Sequence, residues 1–307
     1  MSLRLFLSAD LAGSTAFKQN NLALDWQLFF KGFYNQLPAY VDKEFAVDAH
    51  RLALWKTVGD EIVFSAELES AGDAVRMIEA FQRGAARYRK EITNPPRGLD
   101  LKCAGWTAGF PLGNLEVLLE GDGGVVDYIG PGMDIGFRLV KEASPRRLML
   151  SVELAYILSL PDFPAPAIRV GRSVELKGVG KGHRYPALWL DCFSGQSCGA
   201  WDRLELDEEL LRGVPRVPAG QEELHAFCRA WLTTIGGPFM LPFIDHDPYL
   251  NIFPDRYEEL KAALESGTQS LPPHTLDEKA AEDTGDSESF LGNLTLPNDH
   301  DSPETPD

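Results

Sequence analysis

Apolar residues recur along this chain with two periods, and the switches between them outline its elements. Leu3 to Asp10 is an apolar run that stops at a small-residue corner, which predicts a first strand. Asn20 to Val47 carries Trp26, Phe29, Phe30, Phe33 and Leu37 at helical spacings, a stripe that predicts core or dimer surface rather than a ligand box. Arg51 to Ala66 reads as a hairpin whose two strands meet at Gly59–Asp60. Ser70 to Glu91 predicts a second helix, closed by Asn94-Pro95-Pro96. Leu99 to Gly109 and Leu115 to Leu119 read as strands, and Pro131 to Glu142 as a third helix. Leu148 to Ser151 and the segments around Val174 and Tyr185 are expected to complete the sheet. The fold class is α+β, with an antiparallel-rich sheet flanked by helices.

From Gly195 onward the pattern changes. Ala200 to Gly213 is charged and amphipathic, and Ala219 to Thr234 reads as a helix holding Phe227, Trp231 and Leu232. Pro238 to Tyr257 is rich in proline and aromatics and reads as an irregular strap on the body. His246 between Asp245 and Asp247 has metal-ligand chemistry, but its surroundings favour the strap. Ser266 to Asp307 is acidic and proline-punctuated, and disorder is expected there. The expected organisation is a main domain over 1–192, an extension over 193–265 and a tail over 266–307.

Charge narrows the partners. The 307 residues carry a net charge of −17, and the tail holds ten acidic residues against one lysine, leaving about −8 on the body. No basic stripe is present, which argues against a nucleic-acid surface. The four cysteines, Cys103, Cys192, Cys198 and Cys228, lack CxxC or zinc spacing, and Cys103 reads as a buried thiol. Nothing at the N-terminus resembles a signal peptide, and Arg4 interrupts a run already too short for a membrane span, so a cytoplasmic, membrane-free protein is expected.

The candidate chemistry begins with Asp10 and Asp60, each placed where an apolar run ends in a glycine-containing turn. Two carboxylates at adjacent strand ends can hold divalent cations. The corner after Asp10, running from Leu11 through Ala12, Gly13, Ser14 and Thr15, can turn backbone N–H groups toward a polyphosphate. Taken alone, a strand-end aspartate of this kind is usually a cap for the next element. A third segment, Val125 to Ser144, has an aspartate, a Gly-Pro-Gly turn and a helix bearing Arg138. A fourth, Val174 to Leu190, is a lysine-containing glycine turn followed by a strand-like run.

These four segments, in this order over roughly residues 3 to 192, resemble the class III nucleotidyl cyclases. The resemblance implies a ferredoxin-like core and two divalent cations, Mn2+ or Mg2+, at Asp10 and Asp60 with the Leu11 backbone close by. It implies that Arg138 meets charge developing on the α-phosphate, where a guanidinium suits a phosphoryl group. Where purine cyclases carry a ribose-positioning asparagine, this chain has Asp134, which can accept a hydrogen bond but cannot donate one. Lys177 and Lys181 are alternative contacts for the triphosphate tail. The base-reading pair maps onto Lys56 and Asp127. A lysine donor and a carboxylate acceptor fit adenine, cytosine and uracil alike, and disfavour guanine.

Pocket size would then decide among bases. His50, Trp55 and Tyr128 supply bulk nearby in sequence, and on a regular strand Trp55 points away from Lys56. WKTVGDE (Trp55 to Glu61), the helix after Asp127 and the C-terminal extension resemble the bacterial Pycsar pyrimidine cyclases. That resemblance implies conversion of UTP to cyclic UMP for antiphage signalling, with a separate cyclic-nucleotide-binding effector as reader. Cyclic CMP from CTP, then an adenylyl cyclase, then a domain that binds nucleotide without turning it over are the alternatives. The family also implies a homodimer whose sites combine Asp10 and Asp60 of one subunit with Lys56, Asp127 and Arg138 of the other.

Overall fold

β1 (Ser2–Ala12) lies in the middle of a sheet and is covered on both faces, which is why its apolar run is nearly continuous rather than alternating. Leu7 faces Leu154 and Ile78 on one side, and Phe6 faces Trp106 and Tyr128 on the other. The computed structural model describes residues 2–45, 50–94, 97–119, 125–164, 166–193, 196, 200–213, 217–236, 240–252 and 256–266.

After β1 come α1 (Ser14–Asn20) and α2 (Ala23–Asp42), with the chain extended at Asn21 and Leu22. The helix expected from Asn20 to Val47 is α2, shorter at both ends, and residues 46–47 lie outside the described ones; α1 was not expected. Phe33, Leu37 and Val41 are buried toward α3 (Ala71–Thr93), while Trp26 and Phe29 pack on their neighbours Phe30 and Phe17. Between these helices run β2 (Ala53–Val58) and β3 (Glu61–Leu68), the expected hairpin. Ser70 and Asp73 form a capping box at the start of α3. The Asp247 carboxylate, 176 residues on, also accepts the Ala71 N–H at 2.8 Å, which ties the C-terminal strap to the first turn of this helix.

β4 (Asp100–Phe110) follows, then the hairpin β5 (Leu115–Leu119) and β6 (Val125–Ile129), α4 (Pro131–Glu142), β7 (Arg147–Leu150) and α5 (Val152–Leu158). β8 (Arg169–Val170) and β9 (Leu188–Asp191) close the sheet; Val174 and Tyr185 contribute one isolated bridge rather than strands. The sheet order is β2-β3-β1-β4-β7-β9-β8. Its first four strands, joined through α1 and α2 and then α3, follow the ferredoxin-like β-α-β-β-α-β succession. The fold is thus the α+β, antiparallel-rich architecture expected, with one parallel pairing of β4 and β7.

α6 (Ala200–Leu211), α7 (Gln221–Thr234) and α8 (Tyr257–Glu265) make up the helical part of the extension. The described residues up to Lys261 form one compact unit. Within it, Trp231 of α7 meets the buried Tyr185 ring edge-on at 5.1 Å. The tail expected to be disordered lies outside the described residues beyond Ser266. Among the described residues no helix is long and apolar enough to cross a membrane.

Candidate active site

Strand register assembles the first half of the site. Asp10 on β1 stands opposite Glu61 on β3 and Lys102 on β4, so the pleat turns all three side chains to the same face. Lys102 Nζ lies 2.8 Å from Asp10 Oδ2, and Asp10 Oδ1 is buried with no hydrogen-bond partner. Asp60 in the β2–β3 turn accepts the Ser14 hydroxyl, and its backbone carbonyl accepts the Leu11 N–H at 3.2 Å. Glu61 accepts the Ser8 hydroxyl.

Like charge is concentrated here. Burial pushes the Asp10 carboxyl above the ordinary carboxylate range and the Asp60 charge adds to this, against the pull of the Lys102 hydrogen bond and charge. Glu61 is raised as well, first by burial and then by Asp10, with the Ser8 bond opposing. Three carboxylates and one ammonium leave a formal −2, and an unpartnered buried carboxylate oxygen is costly unless a cation meets it. The donor set, all oxygen and anionic, fits a hard divalent cation.

The Leu11–Thr15 corner is tightly built. Gly13 has φ +84°, and a Cβ there would lie 2.2 Å from the Gly98 carbonyl oxygen, so only glycine fits. Leu11 and Ser14 are buried, Ala12 is half-buried beside Asp100, and Thr15 is exposed. The Ser14 hydroxyl is committed to Asp60.

The second half sits on the same sheet face. Lys56 lies opposite Val63, and Val63 opposite Ser8, which places its Cα about 12 Å from that of Asp10 by strand spacing. Lys56 Nζ is 2.6 Å from Asp127 Oδ1 on β6, joining residues 71 apart in the chain. Burial opposes ionisation of Asp127, but the Lys56 bond, the Tyr128 N–H and the Lys56 charge together hold it below the ordinary range. The Lys56 ammonium stands 4.2 Å from the Trp55 ring centroid and 5.8 Å from that of Phe137.

Trp55 corrects an expectation. The β2–β3 register shifts between Leu54 and Lys56, so the strand is bulged and Trp55 shares the face of Lys56 instead of opposing it. Its indole N–H donates to the Val126 carbonyl at 2.8 Å, and its ring packs on Phe6, Tyr128 and Phe137. Tyr128 is buried in the same aromatic group. His50 instead groups with Glu69 and Asp73, their ligand atoms within 4.8 Å of one another. Asp73 there is already engaged, as the cap of α3, by the Glu69 and Ser70 N–H groups and by Arg76.

α4 carries the remaining residues. Gly136 presses on Trp106 so closely that a Cβ would lie 2.2 Å from the indole, and this contact fixes the helix on the sheet. One turn apart on α4, Arg138 Nη1 and Asp134 Oδ1 are 3.4 Å apart. The glycine turn lies beside this pair, with Arg138 Nη2 3.9 Å from where a Gly178 Cβ would be. A cavity of about 270 Å3 opens between Asp134, Gly178, Trp231, Ile235 and Met240, so the extension supplies one of its walls. Lys177 is exposed at this turn; the side chain of Lys181 is outside the described ones.

Two members escaped the sequence reading. Glu61 directly follows Asp60, and strand alternation from the turn would have flagged it as facing Asp10. Lys102 is a charge inside an otherwise apolar run, a signal that something opposite neutralises it, although the sequence does not say what.

No protein-family model matches this chain, and no curated protein matches it. The structure is similar to solved nucleotide cyclases. The adenylyl cyclase CyaB from P. aeruginosa gives a TM-score of 0.48 at 13% identity, over 61% of this chain and 93% of that one. The guanylate cyclase domain of RhGC from Catenaria anguillulae, solved in complex with GTP, gives 0.46 at 11%, over 61% and 95%. An adenylate cyclase from Trypanosoma brucei, in its monomeric state, gives 0.46 at 15%, over 64% and 92%. At these values none of the likenesses assigns a role to a residue here.

Proposed function

We propose that this chain is a nucleotidyl cyclase of the class III type, acting on a nucleoside triphosphate. The observation that carries the reading is a pair of clusters on each subunit that a second copy would bring together: an anionic corner with a buried, unpartnered carboxylate oxygen, and a Lys56–Asp127 pair backed by aromatic rings. In the reaction the ribose 3′-oxygen forms a bond to the α-phosphorus, the bond to pyrophosphate breaks, and the 3′-hydroxyl proton passes to solvent water. Asp10 and Asp60 would hold divalent Mn2+ or Mg2+, which lowers the pKa of the 3′-hydroxyl and offsets charge on the triphosphate.

The other roles fall to protein groups alone. Lys56 donates to a base acceptor and Asp127 accepts from a base donor. Arg138 exchanges its contact with Asp134 for the α-phosphate as charge grows there. Lys102 offsets one carboxylate, so the corner does not repel an incoming triphosphate with its full charge. Crowding of Trp55 beside Lys56, forced by the bulge, favours a one-ring base, and with the WKTVGDE resemblance this supports UTP and cyclic UMP, CTP being second, in Pycsar-type signalling. Exposed Leu54, Val58, Leu118 and Ile129 on the two flanking hairpins offer apolar surface to a second copy, in keeping with a homodimer of shared sites.

The test gives purified protein ATP, GTP, CTP and UTP separately with Mn2+ and resolves products by mass. Cyclic UMP or cyclic CMP supports the pyrimidine reading. Cyclic AMP would keep the cyclase and remove the pyrimidine assignment. No product from any of the four would overturn turnover and leave a nucleotide-binding domain, the role that the Lys102–Asp10 contact favours.

A further inference from the structure

A chain of net charge −17 nonetheless gathers four arginines around one cavity of about 530 Å3. Arg147 comes from β7, Arg172 and Arg184 from the segment before β9, and Arg212 from just beyond α6. Two acidic groups, Glu142 at the end of α4 and Glu208 on α6, also line it, so the formal balance is +2. None of these residues belongs to the candidate active site, and the inference stands whether or not the chain cyclises a nucleotide.

Three of the guanidinium groups are held by contacts that fix their orientation. Arg147 lies over the Trp189 ring with its Cζ 4.7 Å from the centroid. Arg184 donates through Nε and Nη2 to the Ser173 carbonyl at 3.0 and 2.9 Å, which anchors one edge of its planar fork. Arg212 pairs with Glu208 one turn back. Guanidinium groups held in place recognise phosphate through paired N–H donors, and holding them costs less entropy on binding than ordering free chains.

Mutual repulsion among four cations in one cavity is relieved by an anion, and a phosphate monoester carries roughly −1.5 to −2 at neutral pH, matching the formal +2. Apart from Ser173 the rest of the lining is apolar: Met149, Val174 and Ala187 present hydrocarbon to whatever the phosphate carries. The volume falls within the roughly 300–1,000 Å3 typical of small-molecule sites. We propose that this cavity binds a phosphomonoester with a planar or apolar body, of which a nucleoside monophosphate is the archetype.

Calorimetry and thermal melting of the full chain in EDTA test this, because EDTA removes the divalent cations through which the Asp10–Asp60 corner would hold a phosphate. UMP, uridine and inorganic phosphate serve as probes. UMP should bind at one per chain and raise the melting temperature, with uridine and phosphate each at least about tenfold weaker. Arg172→Ala and Arg184→Ala, both at exposed positions, should melt like the parent without ligand and weaken UMP about tenfold or more. Arg138→Ala should leave the binding unchanged. Absence of UMP binding at millimolar concentration, binding that survives both arginine substitutions, or loss in Arg138→Ala would each overturn the proposal. Equal affinity for uridine or for phosphate alone would overturn it too.

Discussion

The two halves of the candidate site treat charge in opposite ways. Asp10, Asp60 and Glu61 crowd like charges into a half-buried corner, where burial and mutual repulsion raise Asp10 and Glu61, and Lys102 answers only part of the excess. Lys56 and Asp127 meet as a matched pair in which Asp127 is lowered. A corner that is incomplete by itself calls for a cation from solution, whereas a matched pair is already neutral and can exchange its partners for a base at little cost. On this reading the first half supplies binding strength for ions and the second supplies selectivity.

The contrast is most exposed to damage at its two extremes. Asp60→Ala and Arg138→Ala should each lower cyclase activity by at least about 10^3-fold. Mixed in equal amounts, they should recover roughly a quarter of the parent rate, since half of the dimers would carry one intact site of two. Heterodimers shown to form without recovery would exclude sharing between subunits. Divalent-ion binding, read by Mn2+ electron paramagnetic resonance, should be lost in the first variant and kept in the second.

A buried carboxylate elsewhere, with no cation beside it among the described residues, sharpens the comparison. Glu153 on α5 is fully enclosed, with the Tyr185 hydroxyl 3.4 Å away, and burial pushes it up to about 7. Its folded value exceeds its unfolded one near 4.5, so its contribution to stability is intact below about pH 4.5 and is lost as pH rises toward 7. The loss amounts to at most about 3–4 kcal/mol, at roughly 1.4 kcal/mol per pH unit. Glu153→Gln should therefore stabilise the protein at pH 8 more than at pH 5 in urea unfolding, and an equal effect at both would place the titration elsewhere.

The smallest effect is expected at the cation inside the anionic corner. Lys102→Met removes the ammonium from Asp10 and should tighten Mn2+ binding about tenfold by Coulomb attraction at this range. Weaker binding would show that Lys102 orders the carboxylates rather than competes for them.

Much of this was legible in the chain. Period-two and helical patterns located β1, the β2–β3 hairpin, α3 and α4, because each is set by which neighbours in sequence must face the core. Asp10 and Asp60 were named from their places at strand ends beside glycine turns, whereas Lys56, Asp127 and the role of Arg138 came from the resemblance to the class III cyclases. The short helix α1 and the two-residue β8 left no comparable trace, since elements of that length depend on what they pack against.

What the sequence determined by itself is local: where the chain turns, which residues alternate, and that carboxylates stand at two strand ends beside glycine corners. Tertiary structure alone decided which charges meet. Lys102 reaches Asp10 through a strand register fixed by packing of residues some ninety positions apart. The bulge that turns Trp55 beside Lys56 exists because β2 must pair with β3 while its indole reaches Val126. The arginine cavity draws its walls from segments that no periodicity connects. Patterning along one element reports only whether a side chain faces inward; what it meets there is set by the whole core folding at once.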